Sequence, residues 1–418
     1  MTTVAARDLA RLRRRTVWVL VASVALGSTG HIAAITVATI VARELAGTAQ
    51  LSGAPGASVV LGAALGAVTL AAIMIRRGRR IGLTAGYATG VAGALLATAA
   101  VITGSLPLLL AGTVLIGFGN AANQLSRYAA ADLYPIHRRA SAIGTVVWGA
   151  TVGAVIGPNL VAPAGELAGS LGLPPLAGAY LVPVVFVGAA ALLALVALRP
   201  DPFDLADDEV RHLAGHERPI RASLAAIMAR PNVPVAIVAL ITGQAVMTLV
   251  MTMTPLHMTD HGHGLAAVGI VLSGHTFGMF GLSPLSGRLT DRYGSVPIIL
   301  VGLGVTAGSS VLAAIAPPDG GVILFIALFL LGYGWNLGFV AGSALLTSGL
   351  TLDERTRLQG ITEALIWSSA AAASLGSGVV VATASYATLG LLGGALVILP
   401  VALVLARRSA VSAPRSAG

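Results

Sequence analysis

Apolar residues run along this chain in stretches longer than the roughly 18–20 positions needed to cross a bilayer, broken by short clusters of arginine, glycine and proline. Twelve such stretches are read at about 16–41, 55–75, 81–103, 106–130, 140–163, 176–198, 233–258, 265–287, 296–316, 321–347, 359–384 and 387–406. The pattern predicts an all-α polytopic membrane protein with twelve transmembrane helices. One stretch, Arg199 to Pro231, is long and polar, with Asp204, Asp207, Asp208 and Glu209 followed by basic residues. It divides the chain into six spans over 1–198, a cytoplasmic interdomain loop over 199–231, and six spans with a cytoplasmic tail over 232–418.

Composition sharpens this picture. Charged residues are 10% of the chain, against about 25% in soluble domains, and the mean hydropathy is +0.89. The 52 glycines suit membrane helices, where small residues let backbones approach. Net charge is +9, and every basic residue is arginine rather than lysine. Nucleic acid is not the implied partner, because these arginines sit in short loops between apolar runs. They precede span one and follow spans two, four, six, eight, ten and twelve; Arg43 alone falls clearly on the other side. The positive-inside rule then puts both termini in the cytoplasm and the protein in the cytoplasmic (inner) membrane. The lack of cysteine excludes disulfides, zinc–thiolate sites and thiol redox chemistry. No cleavable signal is expected.

The two halves repeat. IRRGRRIG near residue 78 recurs as GRLTDRYG near 291, LIGFGN at Leu115 as LLGYGWN at Leu330, and YPIHRRASAIG as TLDERTRLQG, all displaced by about 213–216 residues. On these motifs the chain resembles the major facilitator superfamily. GRLTDRYG, Gly287 to Gly294, is close to that superfamily's loop motif after span eight, whereas RRGRRIG lacks the expected acid. The resemblance implies two six-helix bundles rocking about a central site by alternating access. Helices 1, 4, 7 and 10 would line the cavity, and Asp291 and Arg292 would belong to the conformational machinery.

Five of the eight methionines and four of the eight histidines fall between Met247 and Met279. Met247 and Met251 are four apart in span seven, and His275 and Met279 four apart in span eight, so each pair shares one helix face. Thioether and imidazole ligands select Cu(I), while harder ions prefer oxygen. The MxxxM and HxxxM pairs, with their mutual spacing, resemble those of the CcoA-type copper importers. That resemblance assigns metal binding to Met247, Met251, His275 and Met279. Methionine is also ordinary apolar filler, and the plain alternative for His275 is a hydrogen bond to a helix backbone. Met253, His257, Met258, His261 and His263 lie at the outer end of the same hairpin and form a candidate capture set.

Other polar residues fall inside the spans. His31, Asn120 and Asn336 are candidates to line the cavity; the asparagines can equally be interhelical hydrogen-bond partners. Arg127 and Asp132 read as a gating or fold-stabilising pair. Glu363, early in span eleven, carries a proton or meets arginines such as Arg355. GATVGAVIGP, Gly149 to Pro158, resembles the span-five motif of drug–proton antiporters, or serves close helix packing. Nucleotide-binding and hydrolase motifs are missing, so no enzymatic activity is expected. The sequence reading is a Cu(I) importer. Copper is cargo rather than cofactor, the bilayer is the partner surface, and a cytoplasmic copper chaperone is the acceptor such a role calls for. The alternatives are a drug or small-metabolite/proton antiporter and a membrane copper receptor without transport.

Overall fold

The computed structural model describes residues 3–47, 51, 53–206, 224–263, 265–317 and 321–412. Among these residues the secondary structure is entirely helical. The helices are α1 (Thr3–Ala46), α2 (Ala54–Thr103), α3 (Leu106–Ala131), α4 (Arg139–Trp148), α5 (Ala150–Asn159), α6 (Val161–Ser170), α7 (Pro175–Ala197) and α8 (Leu224–Met228). They continue as α9 (Asn232–Asp260), α10 (Leu265–Phe280), α11 (Ser283–Tyr293), α12 (Ser295–Ala314), α13 (Gly321–Leu346), α14 (Leu352–Thr383), α15 (Tyr386–Leu396) and α16 (Ile398–Ser412).

Among the described residues eleven helical segments are long and apolar enough to cross a membrane. One of them is two crossings. Helix α2 has 50 residues, roughly 75 Å at 1.5 Å per residue, against a hydrocarbon core of about 30 Å. It breaks at Gly78, where φ is 87° and ψ 166°. Twelve crossings result, as the hydropathy pattern predicts. Span five differs from its expected 140–163: it runs from Ile136 to Asn159, and α6 continues after Leu160. Span eleven starts earlier than expected, at Leu352, because Thr351 and Glu354 form a capping box. The Thr351 amide donates to Glu354 Oε2 at 2.9 Å and the Glu354 amide to Thr351 Oγ1 at 3.4 Å. The acidic run Asp207 to Glu209 and most of the polar loop lie outside the described residues.

The chain packs as two compact units that do not follow a single cut. The first is Met1–Pro135, Thr145–His212 and Thr351–Ser368; the second is Ile136–Gly144, Leu213–Leu350 and Ser369–Gly418. Within the first unit, α5 lies against α1 through the glycines of the GATVGAVIGP segment. A Cβ on Gly153 would sit 2.4 Å from Ser28 Cβ, so only glycine permits this approach. The segment therefore has a packing role, whatever else it does. Within the second unit, α9, α10 and α12 each pack against α13. Asp291, on α11, accepts hydrogen bonds from the Ala140 and Ser141 amides at 3.1 and 2.9 Å. These are first-turn amides of α4, which have no partner within the helix and favour a nearby negative charge. Arg292 is exposed, its guanidinium 5.2 Å from the Tyr293 ring centroid.

Candidate functional site

His275 is fully buried on α10. Its Nδ1 lies 2.8 Å from the Leu328 carbonyl of α13. A carbonyl only accepts, so Nδ1 carries the proton and Nε2 presents a lone pair. Nε2 is buried and has no protein partner. The close approach behind this geometry depends on Gly332, where a Cβ would stand 2.3 Å from the His275 carbonyl oxygen. The backbone hydrogen bond considered from the sequence is thus present, and it occupies only one of the two ring nitrogens.

Met247 is 5% exposed, while Met251 and Met279 are half-buried. Helix α9 runs antiparallel to α13, with Leu240 against Gly342 and Gln244 accepting from Trp335 Nε1 at 2.9 Å. Extended toward the C-terminus of α9, this register puts Met247 and Met251 about level with the Leu328–Gly332 turn, the same turn that holds His275. The backbone of His275 and Met279 itself lies against Gly332 of α13. Among the described residues, no group of three or more His, Asp or Glu side chains is placed to hold a metal ion.

The outer set separates. Met258 is 0% exposed and belongs to the core, which corrects its place in a solvent-facing capture set. Met253 is half-buried. His257 stacks on Tyr386 with ring centroids 4.1 Å apart and lies 4.4 Å from the His261 ring. His261 is exposed, with Nδ1 2.7 Å from the His257 carbonyl, and His263 is half-buried.

Asn336 is not a free cavity group. Its Nδ2 donates to the Met279 carbonyl at 2.6 Å and to Ser283 Oγ at 2.7 Å, and its Oδ1 accepts from Ser286. It clamps α13 to the bend between α10 and α11. In the first unit, Asn123 donates to Ser28 Oγ at 3.1 Å and accepts from Tyr87 at 2.9 Å, an interhelical role. The antiparallel register Gly27–Asn123 carries His31 level with Asn120. His31 Nδ1 and Asn120 Nδ2 are both buried and without partners.

The charged residues pair differently from the sequence expectation. Asp132, the C-cap of α3, lies five residues after Arg127, roughly 140° around the helix, so the two face different neighbours. Arg127 bonds Glu363, and Tyr128 shares the same carboxylate oxygen at 3.3 Å. Asp132 accepts from Arg79 at 2.8 Å, with Arg355 at 4.0 Å, and Arg79 also donates to Gln359 at 2.7 Å. Arg355, Gln359 and Glu363 recur every fourth residue on α14, one polar stripe on one helix face. That spacing is the signal the sequence carries for this network, in which Arg127 meets Glu363 rather than Asp132 and Arg355 lies near Asp132.

An apolar groove of about 750 Å³ lies between the same two helices, α10 and α13, at Ile270, Gly274, Phe277, Phe325 and Phe329.

The Major Facilitator Superfamily sequence model matches residues 17–374 and again 235–418. The uncharacterised MFS-type transporter YddS of Bacillus subtilis (strain 168) is 35% identical over 404 residues, 94% of this chain and 91% of that protein. The riboflavin transporter RfnT of Brucella anthropi is 30% identical over 406 residues, 95% of this chain and 97% of its own. Among solved structures, the proton:xylose symporter XylE aligns with a TM-score of 0.77 at 15% identity, over 95% of this chain and 96% of its own. The E. coli fucose:proton symporter FucP aligns at 0.73 and 15%, over 94% and 98%. At such identities these structures speak to the fold alone.

Proposed function

The chain belongs to the major facilitator superfamily, and we propose that it is an importer whose cargo is Cu(I), met within the membrane by His275 and the thioethers of Met247, Met251 and Met279. The observation that carries this reading is the His275 ring. Its Nδ1–H is held by the Leu328 carbonyl while Nε2 stays buried and unpaired. A ligating histidine is held in this way, its second nitrogen fixed by a carbonyl so that the first keeps its lone pair on the metal. The level placement of Met247 and Met251 across α13 supports the same reading, because a conduction path needs several weak sites rather than one closed cage. The inside-negative potential favours cation entry by about 2.3 kcal/mol per charge per 100 mV. The arginine distribution supports a cytoplasmic-membrane location with both termini inside. A receptor that only bound copper would not need a transporter fold.

A second reading is favoured by the relationship to a riboflavin transporter. In it the cargo is a small organic metabolite, and His275 Nε2 is a hydrogen-bonding partner for its polar atoms. Uptake of radiolabelled copper under reducing conditions and of radiolabelled riboflavin, into proteoliposomes holding the full chain, separates the two. Under the copper reading, Met247→Leu with Met251→Leu abolishes copper uptake at normal protein abundance, since this swap keeps volume and apolarity. Riboflavin uptake that survives the double substitution and is lost in His275→Ala would establish the second reading instead.

A further inference from the structure

The C-terminal end of α9 carries a pair of histidines that neither cargo reading uses. His257 and His261 are four residues apart, so they share one helix face. Their ring centroids are 4.4 Å apart, and the ring planes cross at 53°. His257 lies ten residues past Met247, roughly 15 Å along the helix at 1.5 Å per residue. The pair therefore shares no ion with Met247.

Both rings are held in place. Helix α9 ends in a Schellman cap. The Gly262 amide donates to the Thr259 carbonyl and the His263 amide to the Met258 carbonyl, each at 3.0 Å, with Gly262 left-handed at φ 81°. This cap fixes the backbone of His261, the C-cap residue. His261 Nδ1 then donates to the His257 carbonyl at 2.7 Å, so Nε2 carries the lone pair. His257 is fixed from the side of α15, where its ring stacks on Tyr386 only 9° from parallel. Tyr386 is itself pinned. The Thr254 hydroxyl gives its single proton to the Val250 carbonyl at 2.9 Å, so the Tyr386 hydroxyl donates to Thr254 Oγ1 at 2.8 Å. Stacking covers a face of the His257 ring and leaves its nitrogens on the edge, where no protein hydrogen bond occupies them among the described residues. His261 is exposed and His257 half-buried, so an ion in solution reaches both. A helix C-terminus also favours a cation. Helices α9 and α15 both belong to the second unit.

We propose that His257 and His261 form a binding site for a divalent transition-metal ion, Zn(II) or Cu(II), separate from the cargo path. Imidazole nitrogen suits these ions, whereas thioether sulfur selects Cu(I). Two imidazoles one turn apart chelate the ion, and water fills its remaining positions, since no third His, Asp or Glu joins them among the described residues. The site rests on neither cargo reading.

Calorimetric titration of the untagged full chain with Zn(II) tests it without reference to transport. A His275→Ala background removes the inner imidazole from the measurement. One saturable site per chain is expected. His261→Ala should weaken it by about tenfold or more, because a single imidazole loses the advantage of two tethered ligands. His257→Phe should weaken it as much while keeping an aromatic ring against Tyr386, so the loss reports the nitrogens rather than the packing. Zn(II) should also raise the thermal unfolding midpoint of the background protein and leave that of either variant unmoved. Unchanged affinity in either variant would overturn the proposal, since a chelate needs both rings. So would a background protein with no saturable Zn(II) binding. Should His257→Phe not fold, His261→Ala, at an exposed position, decides the matter alone.

Discussion

Gly78 and Gly294, 216 positions apart in sequence, hold nearly the same backbone conformation, with φ 87° and ψ 166° at one and φ 87° and ψ 158° at the other. This region of backbone space is open essentially to glycine only. Each ends one membrane crossing and starts the next, so the sequence repeat is also a repeat of backbone geometry. The acidic residue is not repeated. Asp291 lies three residues before Gly294, and Ile75 holds the corresponding place before Gly78. After Gly78 the helix amides of Arg79 and Arg80 are met instead by Asp201, at 3.1 and 3.0 Å.

Alanine should be tolerated unequally at the two glycines. The backbone alone costs about 1–3 kcal/mol at either site. At Gly78 the added Cβ would also stand 2.4 Å from Asp201 Oδ2, whereas at Gly294 its nearest neighbour is Pro297 Cδ at 3.8 Å. Thermal unfolding in detergent should show Gly78→Ala losing more than Gly294→Ala. Equal losses would remove Asp201 from the account.

Neutralising Asp132 should be among the most damaging single changes in the first unit. Asp132→Asn leaves Arg79 and Arg355 without their anion in a fully buried site, and breaking such a pair costs about 3–5 kcal/mol. Gln359→Leu removes one neutral acceptor from Arg79 and should cost only about 1–3 kcal/mol. Thermal stability of the two variants should rank in that order.

Met258 and Met253 should give opposite phenotypes. Met258 is fully buried, so Met258→Ala should destabilise by about 2–5 kcal/mol through cavity formation. Met253 is half-buried, and Met253→Ala should leave stability nearly unchanged while raising the copper concentration needed for uptake. Uptake assays alongside unfolding curves distinguish the two; normal stability in Met258→Ala would contradict its core placement.

Topology is open to direct measurement. Reporter fusions at Asp208 and His261 should report opposite sides of the membrane, with Asp208 cytoplasmic, because the arginines gather on that side. The same side for both would be incompatible with twelve crossings.

Much of the architecture was legible before any coordinates. Bilayer thickness sets a minimum helix length, so runs of apolar residues fixed the number of crossings, and loop arginines fixed the expected orientation. The motif GRLTDRYG and its degenerate counterpart marked the repeat, because a glycine-only backbone leaves its trace in sequence. Helical spacing placed His275 and Met279 on one face, as it placed Met247 and Met251. Other features depended on which faces meet, and one chain's periodicity does not state that. Asn336 has the residue type of a cavity group, yet it is consumed by Met279, Ser283 and Ser286. Met258 has the chemistry of a capture ligand and points into the core. Arg127 and Asp132 are near in sequence but diverge around α3, and each finds its partner far away, Glu363 and Arg79. The free nitrogen of His275 depends on a single carbonyl, that of Leu328, brought close by a glycine 57 residues further along the chain. Local sequence determines what a helix can present. Only packing in three dimensions decides which of its polar atoms are left without a partner, and those are the atoms available to a solute or a proton.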